Sequence, residues 1–464
     1  MNISLDDLRS MQRVTPEPGK NPVTYLGYGI YWPDFHKETF ITIPDSLRSG
    51  HIGVFGTTRV GKTRLMENLI EQDIKKGYNL VIIDPKGDVE LFSKVVSVAA
   101  LTGRLDDLML LTPIYPQYSI KLDPLSHYYM EDELVDHVIS GIKAREDYFI
   151  SVAQEITTAV VSSLALQAKF RGQRLNISFA DVKAHIGQED LLRLKTEIAA
   201  LPGSAWIVHN IDQILKSPQD FFAKVTSSLR TTLSALTWGS IGEILGRVHT
   251  NEFIERIEHG RGVILFCNTG NLLARRAANI VGRVLVSMIQ SLAGRYFASG
   301  RKFSPPLCLH IDEGHSVLYS GISDLFSKGG GANVWICFYT QSIAQMEDAV
   351  SQANVKGVLD NINTWLFMLV NHPETAKYVE DSFPTVIKNI PLLSFGRDIT
   401  VRRDEKKLVT AEQVLQLPKR RFYMRSYGTY ASGITLDTSQ SLVNVSFPHI
   451  VTVEHDAPGW EEIQ

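Results

Sequence analysis

The chain has 464 residues, a formal net charge of −3 and 44% hydrophobic residues, which excludes a disordered tail or a small disulfide scaffold and suits roughly two or three packed units. Near-neutrality decides nothing about nucleic acid, because a narrow basic lining inside a ring leaves the total unchanged. No uninterrupted apolar run approaches the roughly 18 residues of a spanning helix, and MNISLDDLRSMQ has no basic region followed by an apolar one, so a cytoplasmic chain without a secretory signal is expected.

In chain order, residues 1–50 form a strand-rich entry segment. Its aromatic run Tyr25–Trp32 reads as an edge hairpin covering the core. From His51 the pattern changes. HIGVFG is a short apolar run ending in glycine, Thr63 to about Lys76 suits a helix, and NLVIID ends at Asp84. Strand, helix and strand at this spacing make a βαβ unit with a parallel sheet, and the second strand is apolar at nearly every position, as befits one covered on both faces. Between about 126 and 245, apolar residues recur at helical spacing, as in Glu131–Arg145 and Ser151–Lys169, and strand-like runs are scarce. Further helix starts are expected near Asn176–Asp181 and Ser217–Asp220.

The α/β pattern returns near residue 246. GVILFCN, PLCLHIDE, NVWICFYTQ and TWLFMLV read as strands, Leu273–Phe297 as a long helix and Leu318–Lys328 as a helix, with a turn at Gly329–Gly331. Cys267, Cys308 and Cys337 each sit inside one of the apolar runs without CxxC or histidine-paired spacing, so they read as buried reduced thiols. The expected architecture is an α/β core with a mostly parallel sheet. It comprises residues 51–125 and 246–464, interrupted by an all-α insertion at 126–245.

Two stretches carry chemistry. Gly56-Thr57-Thr58-Arg59-Val60-Gly61-Lys62-Thr63 fits GxxxxGK[ST], with Arg64 following. The glycines let successive backbone N–H groups turn inward around phosphate oxygens, and the helix that begins there favours an anion. Lys62 would reach the β- and γ-phosphates of ATP, and the Thr63 hydroxyl would ligate Mg²⁺. The second stretch, Leu307–Glu313, is an apolar strand ending in two acids. Asp312 would hold Mg²⁺ through water, and Glu313 would polarise the attacking water. The following strand ends in Gln341, which either senses the γ-phosphate or caps the helix start at Ser342–Met346. In P-loop ATPases with paired acids, that strand lies between the acidic strand and the P-loop strand. Asp84, closing DPKGD, either touches water near the site or fixes its own loop.

GTTRVGKT, VIIDPKGD, a helical insertion, HIDEGH and YTQSIAQME together resemble, in order, the TraD-type coupling ATPases of conjugative DNA transfer, within the RecA-like FtsK–HerA superfamily. Tyr25-Leu-Gly-Tyr-Gly, Leu408–Glu412 and Leu417-Pro418 resemble the subgroup on integrating conjugative elements. The likeness runs from about 25 to 425. It implies a homo-hexamer with ATP sites between subunits, sequence-independent DNA in a central channel, and contact with a relaxase–DNA complex and a type IV secretion channel. Membrane contact would then be indirect, at the cytoplasmic face of the inner membrane, and a chain cut from its anchor would be a monomer.

Two features depart from that family. Its members carry N-terminal transmembrane helices, and none is expected here. Relatives also place an arginine finger between the acidic strand and the glutamine, whereas Gly314–Thr340 contains no arginine and has Lys328 as its basic side chain besides His315. Arg275, Arg276, Arg402 and Arg403 are the alternative sources. DNA phosphates would follow Lys169-Phe-Arg171 with Arg174, Arg402-Arg403 with Lys406-Lys407, or Lys419-Arg420-Arg421. The rival readings are a chromosomal DNA pump, and a docking platform for secreted proteins with little ATPase activity.

Overall fold

The computed structural model describes residues 22–32, 37–143, 147–217, 219–393 and 399–448. The apolar runs become strands of one eleven-stranded sheet. The strands are β1 (Val23–Trp32), β2 (Thr39–Pro44), β3 (Ile52–Phe55), β4 (Asn79–Asp84), β5 (Leu108–Leu111), β6 (Ile264–Asn268), β7 (Leu307–Ile311), β8 (Val334–Thr340) and β9 (Thr364–Phe367). A separate hairpin follows, β10 (Thr385–Leu393) with β11 (Ile399–Lys407), and then β12 (Arg421–Ser426) and β13 (Thr429–Ile434) rejoin the sheet.

The sheet order is β2-β1-β13-β12-β9-β3-β8-β7-β4-β6-β5. From β9 to β5 every pairing is parallel. β12, β13, β1 and β2 extend that sheet antiparallel at one edge. The entry segment is therefore an edge hairpin, and β8 does lie between the P-loop strand and the acidic strand. β3, β4, β6, β7, β8 and β9 are buried along their whole length, because helices cover both faces of a parallel sheet. The three thiols are free and buried in β6, β7 and β8. Gly53 in β3 has a packing reason: a Cβ there would lie 2.3 Å from the Trp365 ring, which stacks on Phe55 at 4.9 Å.

Helix α1 (Lys62–Lys75) leaves the P-loop, and α2 (Val89–Leu101) follows β4. From residue 126 to 245 the described elements are helical. The main ones are α3 (Glu131–Ser140), α4 (Asp147–Phe170), α5 (Phe179–Lys183), α6 (Gln188–Ile198), α7 (Ala205–Leu215) and α8 (Gln219–Thr237). The long helix α9 (Asn271–Ala298) packs against both this group and the core, and non-helical backbone at Ala274 breaks its first turn. The helix read as Leu318–Lys328 is shorter: Leu318 is extended, and the helix runs from Ser323 to Lys328.

Among the described residues two helices, Tyr148–Phe170 and Leu272–Ala298, are long and apolar enough to cross a membrane by length and composition. Neither is an uninterrupted apolar run, because polar residues punctuate both. In the second, 72% of the most apolar window is buried inside the protein, the pattern of a helix between two packed layers.

The chain after β13 lies across α1 and α2. Ser439 donates to Glu71 at 2.8 Å, and the Val443 and Val445 amides donate to Ser97 and Ser93. Phe447 stacks on Tyr115 at 4.6 Å.

Candidate functional site

The C-terminal ends of β3, β8, β7 and β4 are consecutive in the sheet, and each feeds one loop of the site. Strands in a sheet lie about 4.8 Å apart, so the four loops fall within about 15 Å. After β3 comes the P-loop. The Gly56 amide donates to the Thr340 carbonyl at 3.1 Å and the Thr57 amide to Leu369 at 2.8 Å, tying the loop to β8 and to the chain after β9. Arg59 and Gly61 are left-handed, with φ of 61° and 111°. These turns curl the loop ahead of α1, as the two-glycine motif requires. The Arg420 amide holds the Val60 carbonyl from behind at 2.8 Å.

Lys62 is buried. Its ammonium donates to the Gly56 carbonyl and, at 3.0 Å, to that of Thr57. Burial lowers its affinity for a proton. The Glu313 and Asp312 charges oppose that effect, whereas Lys86 adds to it, so these four groups act on one another across the site. Thr63 stands at the start of α1. Thr57 accepts from Asn371 at 3.1 Å, and Thr58 and Arg59 are exposed. Arg64 points along α1 to Glu67 at 2.8 Å.

After β7, Asp312 and Glu313 are both buried. Glu313 has φ of 45°, an uncommon conformation for a side-chain-bearing residue and a form of strain associated with functional sites. After β8, the Gln341 side-chain amide donates to both Glu313 carboxylate oxygens at 3.0 Å. Helix capping falls to the next residue instead: Ser342 accepts from the Gln345 amide, opening the helix Ile343–Glu347. After β4, Asp84 accepts from the Lys86 amide at 3.0 Å and the Asp88 amide at 2.6 Å. It therefore fixes its own loop. Burial raises its carboxyl to about 6.

Lys86 escaped the sequence reading. Its ammonium bridges Asp312 at 2.8 Å and Glu313 at 2.9 Å. Burial favours the neutral acid at Glu313, but hydrogen bonds and charge from Lys86, with Gln341 and Lys62, hold its carboxyl below the ordinary range. Lys86 stands in plain view in DPKGD, yet nothing in the sequence says that β4 neighbours β7. A buried cluster beneath the site was missed for the same reason. Asp73 on α1 pairs with Arg48 and accepts from His310 on β7 at 2.9 Å, joining the phosphate-loop helix to the acidic strand.

The donor set fits a metal-bound nucleotide. Inward-curled amides, Lys62 and Thr63 suit phosphates, and Asp312 suits a hard cation. The buried Thr340 hydroxyl and Asn268 side-chain oxygen, at the C-terminal ends of β8 and β6, lack hydrogen-bond partners among the described residues. Among the finger alternatives, Arg275 and Arg276 are exposed beside the break in α9, whereas the Arg402 and Arg403 side chains lie outside the described residues. Of the basic clusters, Arg174 is bound to the Tyr128 carbonyl at 2.8 Å and stacked over its ring. Arg420 is held by the Thr435 carbonyl at 2.7 Å and by Asp437.

Two family models match the chain. One describes the TraM recognition site of TraD and TraG and covers residues 306–419; the other describes the central domain of helicase HerA and covers residues 38–137. A 67-residue segment is 37% identical to the type 4 coupling protein DotL of Legionella pneumophila. That segment is 14% of this chain and spans 8% of DotL.

The fold matches the bacterial conjugative coupling protein TrwB with a TM-score of 0.65 at 17% identity, covering 88% of this chain and 89% of that one. TrwB in complex with ADP and Mg²⁺ matches with a TM-score of 0.62 at 16% identity over 87% and 88%. VirB4 of Thermoanaerobacter pseudethanolicus matches with a TM-score of 0.52 at 11% identity over 92% and 98%. The RecA-like P-loop NTPase fold expected from the motifs is thus the fold found, helical layer included. With the ordered motifs, the two family models and the DotL segment, each matching part of the chain, the likeness is to the TraD-type coupling proteins.

Proposed function

We propose that the chain hydrolyses ATP with Mg²⁺ at this site and spends the energy on moving DNA. It would act as the coupling protein between a relaxase–DNA substrate and a type IV secretion channel, at the cytoplasmic face of the inner membrane. One observation carries the reading: the P-loop lysine meets the acid pair and Gln341 at neighbouring strand ends, although more than two hundred residues of sequence separate it from them. Solved complexes of the TrwB fold with ADP and Mg²⁺ and with a non-hydrolysable ATP analogue support the ligand.

In this reading, the amides from Thr58 to Thr63 and the Lys62 ammonium would bind phosphate oxygens, the Thr57 amide being held by Leu369, while Thr63 and Asp312 would hold Mg²⁺. The cation, when bound, supplies charge neutralisation at the phosphates. Glu313 orients the attacking water and accepts its proton, which its low proton affinity permits only as charge builds in the transition state. Gln341 fixes the Glu313 carboxylate in one orientation. By family likeness a neighbouring copy completes the site; since Gly314–Thr340 holds no arginine, its candidate donors are the exposed Arg275 and Arg276, or Arg402 and Arg403. That calls for a ring, a homo-hexamer by family likeness, with DNA bound by phosphate contacts and without sequence preference.

ATP turnover measured across protein concentration, with single-stranded or double-stranded DNA, tests this. Turnover per chain should rise as copies assemble and rise again with DNA. Lys62→Ala should abolish nucleotide binding, and Glu313→Gln should retain nucleotide without cleaving it. Wild-type turnover in both variants refutes the site. A ring unaffected by DNA favours the platform for secreted proteins.

A further inference from the structure

Lys86 touches both acids of the hydrolysis pair, at 2.8 and 2.9 Å. Its backbone cannot follow a moving side chain, since Asp84 holds the Lys86 and Asp88 amides on either side. The side chain itself is 40% exposed, whereas Asp312 and Glu313 are below 10%. The ammonium is therefore a flexible cover of a deep acidic pair at the mouth of the site. A divalent cation on Asp312 and an ammonium on the same carboxylate are like charges competing for the same oxygens. On the acid pair the ammonium already lies within electrostatic reach of Lys62, whose charge it opposes. A lysine tethered there finds its next anion in the terminal phosphate.

We propose that Lys86 is an exchangeable counter-ion of the acid pair: a metal–nucleotide complex binds by displacing its ammonium from Asp312, and the ammonium then pairs with the terminal phosphate. This rests on the P-loop being the nucleotide site. It gives the chain a cation of its own at the phosphate, in a region where Gly314–Thr340 supplies no arginine. Lysine suits exchange because it is a single point charge on a flexible stem, whereas arginine's planar fork favours a fixed bidentate pair.

The test is the metal dependence of nucleotide affinity, read without turnover. Fluorescent mant-ADP is titrated into the full chain, once with Mg²⁺ and once with EDTA, for wild type, Lys86→Met, Lys86→Arg and Lys62→Ala. Without Lys86, metal-free nucleotide meets two uncompensated carboxylates, while Mg²⁺ meets no competitor. The ratio of the EDTA Kd to the Mg²⁺ Kd should therefore rise by about tenfold in Lys86→Met, a moderate value for a partly solvated pair. In Lys86→Arg, whose fork should hold the acid pair more firmly against the metal, it should fall below the wild-type value.

A clip with only a structural role would weaken both affinities together, and an unchanged ratio in Lys86→Met overturns the proposal. If Lys86→Met melts early, Lys86→Gln, which keeps hydrogen-bonding capacity without charge, should show the same rise, and an unchanged ratio there overturns it too. Wild-type affinity that survives Lys62→Ala overturns the nucleotide site itself, and the inference with it.

Discussion

Asp73 is the anion on which the two halves of the site are hinged, and replacing it by asparagine should cost stability in a pH-dependent way. Arg48, Asp73 and His310 have side chains at most 1% exposed. Arg48 also lies over the Trp335 ring at 5.2 Å, and His310 contacts Tyr339 at 3.4 Å. Taking the charge from Asp73 leaves a buried guanidinium without its counter-ion, a change that typically costs about 3–5 kcal/mol. His310 adds the pH dependence. Burial opposes its charge, but Cys337 and Asp73 favour it, and the net effect raises it from 6.5 to about 9.

A histidine raised in the folded protein contributes stability that is fully present below about pH 6.5 and lost as pH rises through about 9, worth at most about 3 kcal/mol at 1.4 kcal/mol per unit, of which Asp73→Asn removes the part that Asp73 rather than Cys337 supplies. Burial would raise the Asp73 carboxyl; Arg48 and His310 outweigh it and hold it well below the ordinary range, so its own contribution stays constant over this window. Urea unfolding followed by tryptophan fluorescence should therefore show a wild-type advantage of about 3–5 kcal/mol over Asp73→Asn at pH 6, narrowing towards pH 9.5. A gap below about 1 kcal/mol, or one that does not change with pH, refutes the reasoning. Replacing the cluster by Arg48→Met, Asp73→Leu and His310→Leu together should cost less than Asp73→Asn alone, because no charge is then left unpaired.

Gln341→Leu removes both bonds that orient Glu313 and should lower turnover by about 10²-fold, with mant-ADP affinity within about threefold; an equal loss of affinity would make Gln341 a binding residue instead. Gly61→Ala forces a side chain into φ of 111°, with Arg420 Cγ 3.2 Å from the new Cβ. It should weaken nucleotide binding by about 1–3 kcal/mol, and undiminished mant-ADP affinity would remove the need for glycine there. The Arg420 side chain is committed to Thr435 and Asp437, whereas Lys419 and Arg421 are exposed. Lys419→Ala and Arg421→Ala should therefore weaken DNA binding more than Arg420→Ala, as measured by anisotropy at several salt concentrations. The reverse order would move the DNA path.

The P-loop was legible because its chemistry is local: eight consecutive residues contain the turn, the lysine and the hydroxyl. The acid pair was legible for a related reason, since an apolar run ending in two carboxylates has few uses beside a P-loop. Lys86 was not legible. DPKGD reads as a turn, and its lysine gains meaning only from the pairing of β4 with β7, which joins residues 79–83 to 307–311. Arg48, Asp73 and His310 were hidden for the same reason, being far apart in sequence and lying singly in segments that otherwise read as apolar or helical. The long helix α9 was found, but its near-transmembrane composition was not, because Arg283 and other polar residues interrupt the run while burial tolerates them; Arg283 donates to the Gly141 carbonyl at 2.9 Å.

Chain order and spatial order differ at the site, and the difference says what each loop is for. The sequence runs from the P-loop to DPKGD, then the acid pair, then Gln341. The sheet orders their strands β3, β8, β7, β4, so Gln341 falls between the P-loop and the acids, and DPKGD flanks the acids on the far side. Glu313 is thus held from one side by a neutral donor and from the other by a cation. The neutral contact survives any change in charge at the site, and the ionic one does not. A group meant to keep its geometry while a cation arrives and phosphate charge is redistributed needs its fixed partner to be the neutral one. The β3-β8-β7-β4 order supplies that asymmetry, and a sheet with β4 and β8 exchanged would not.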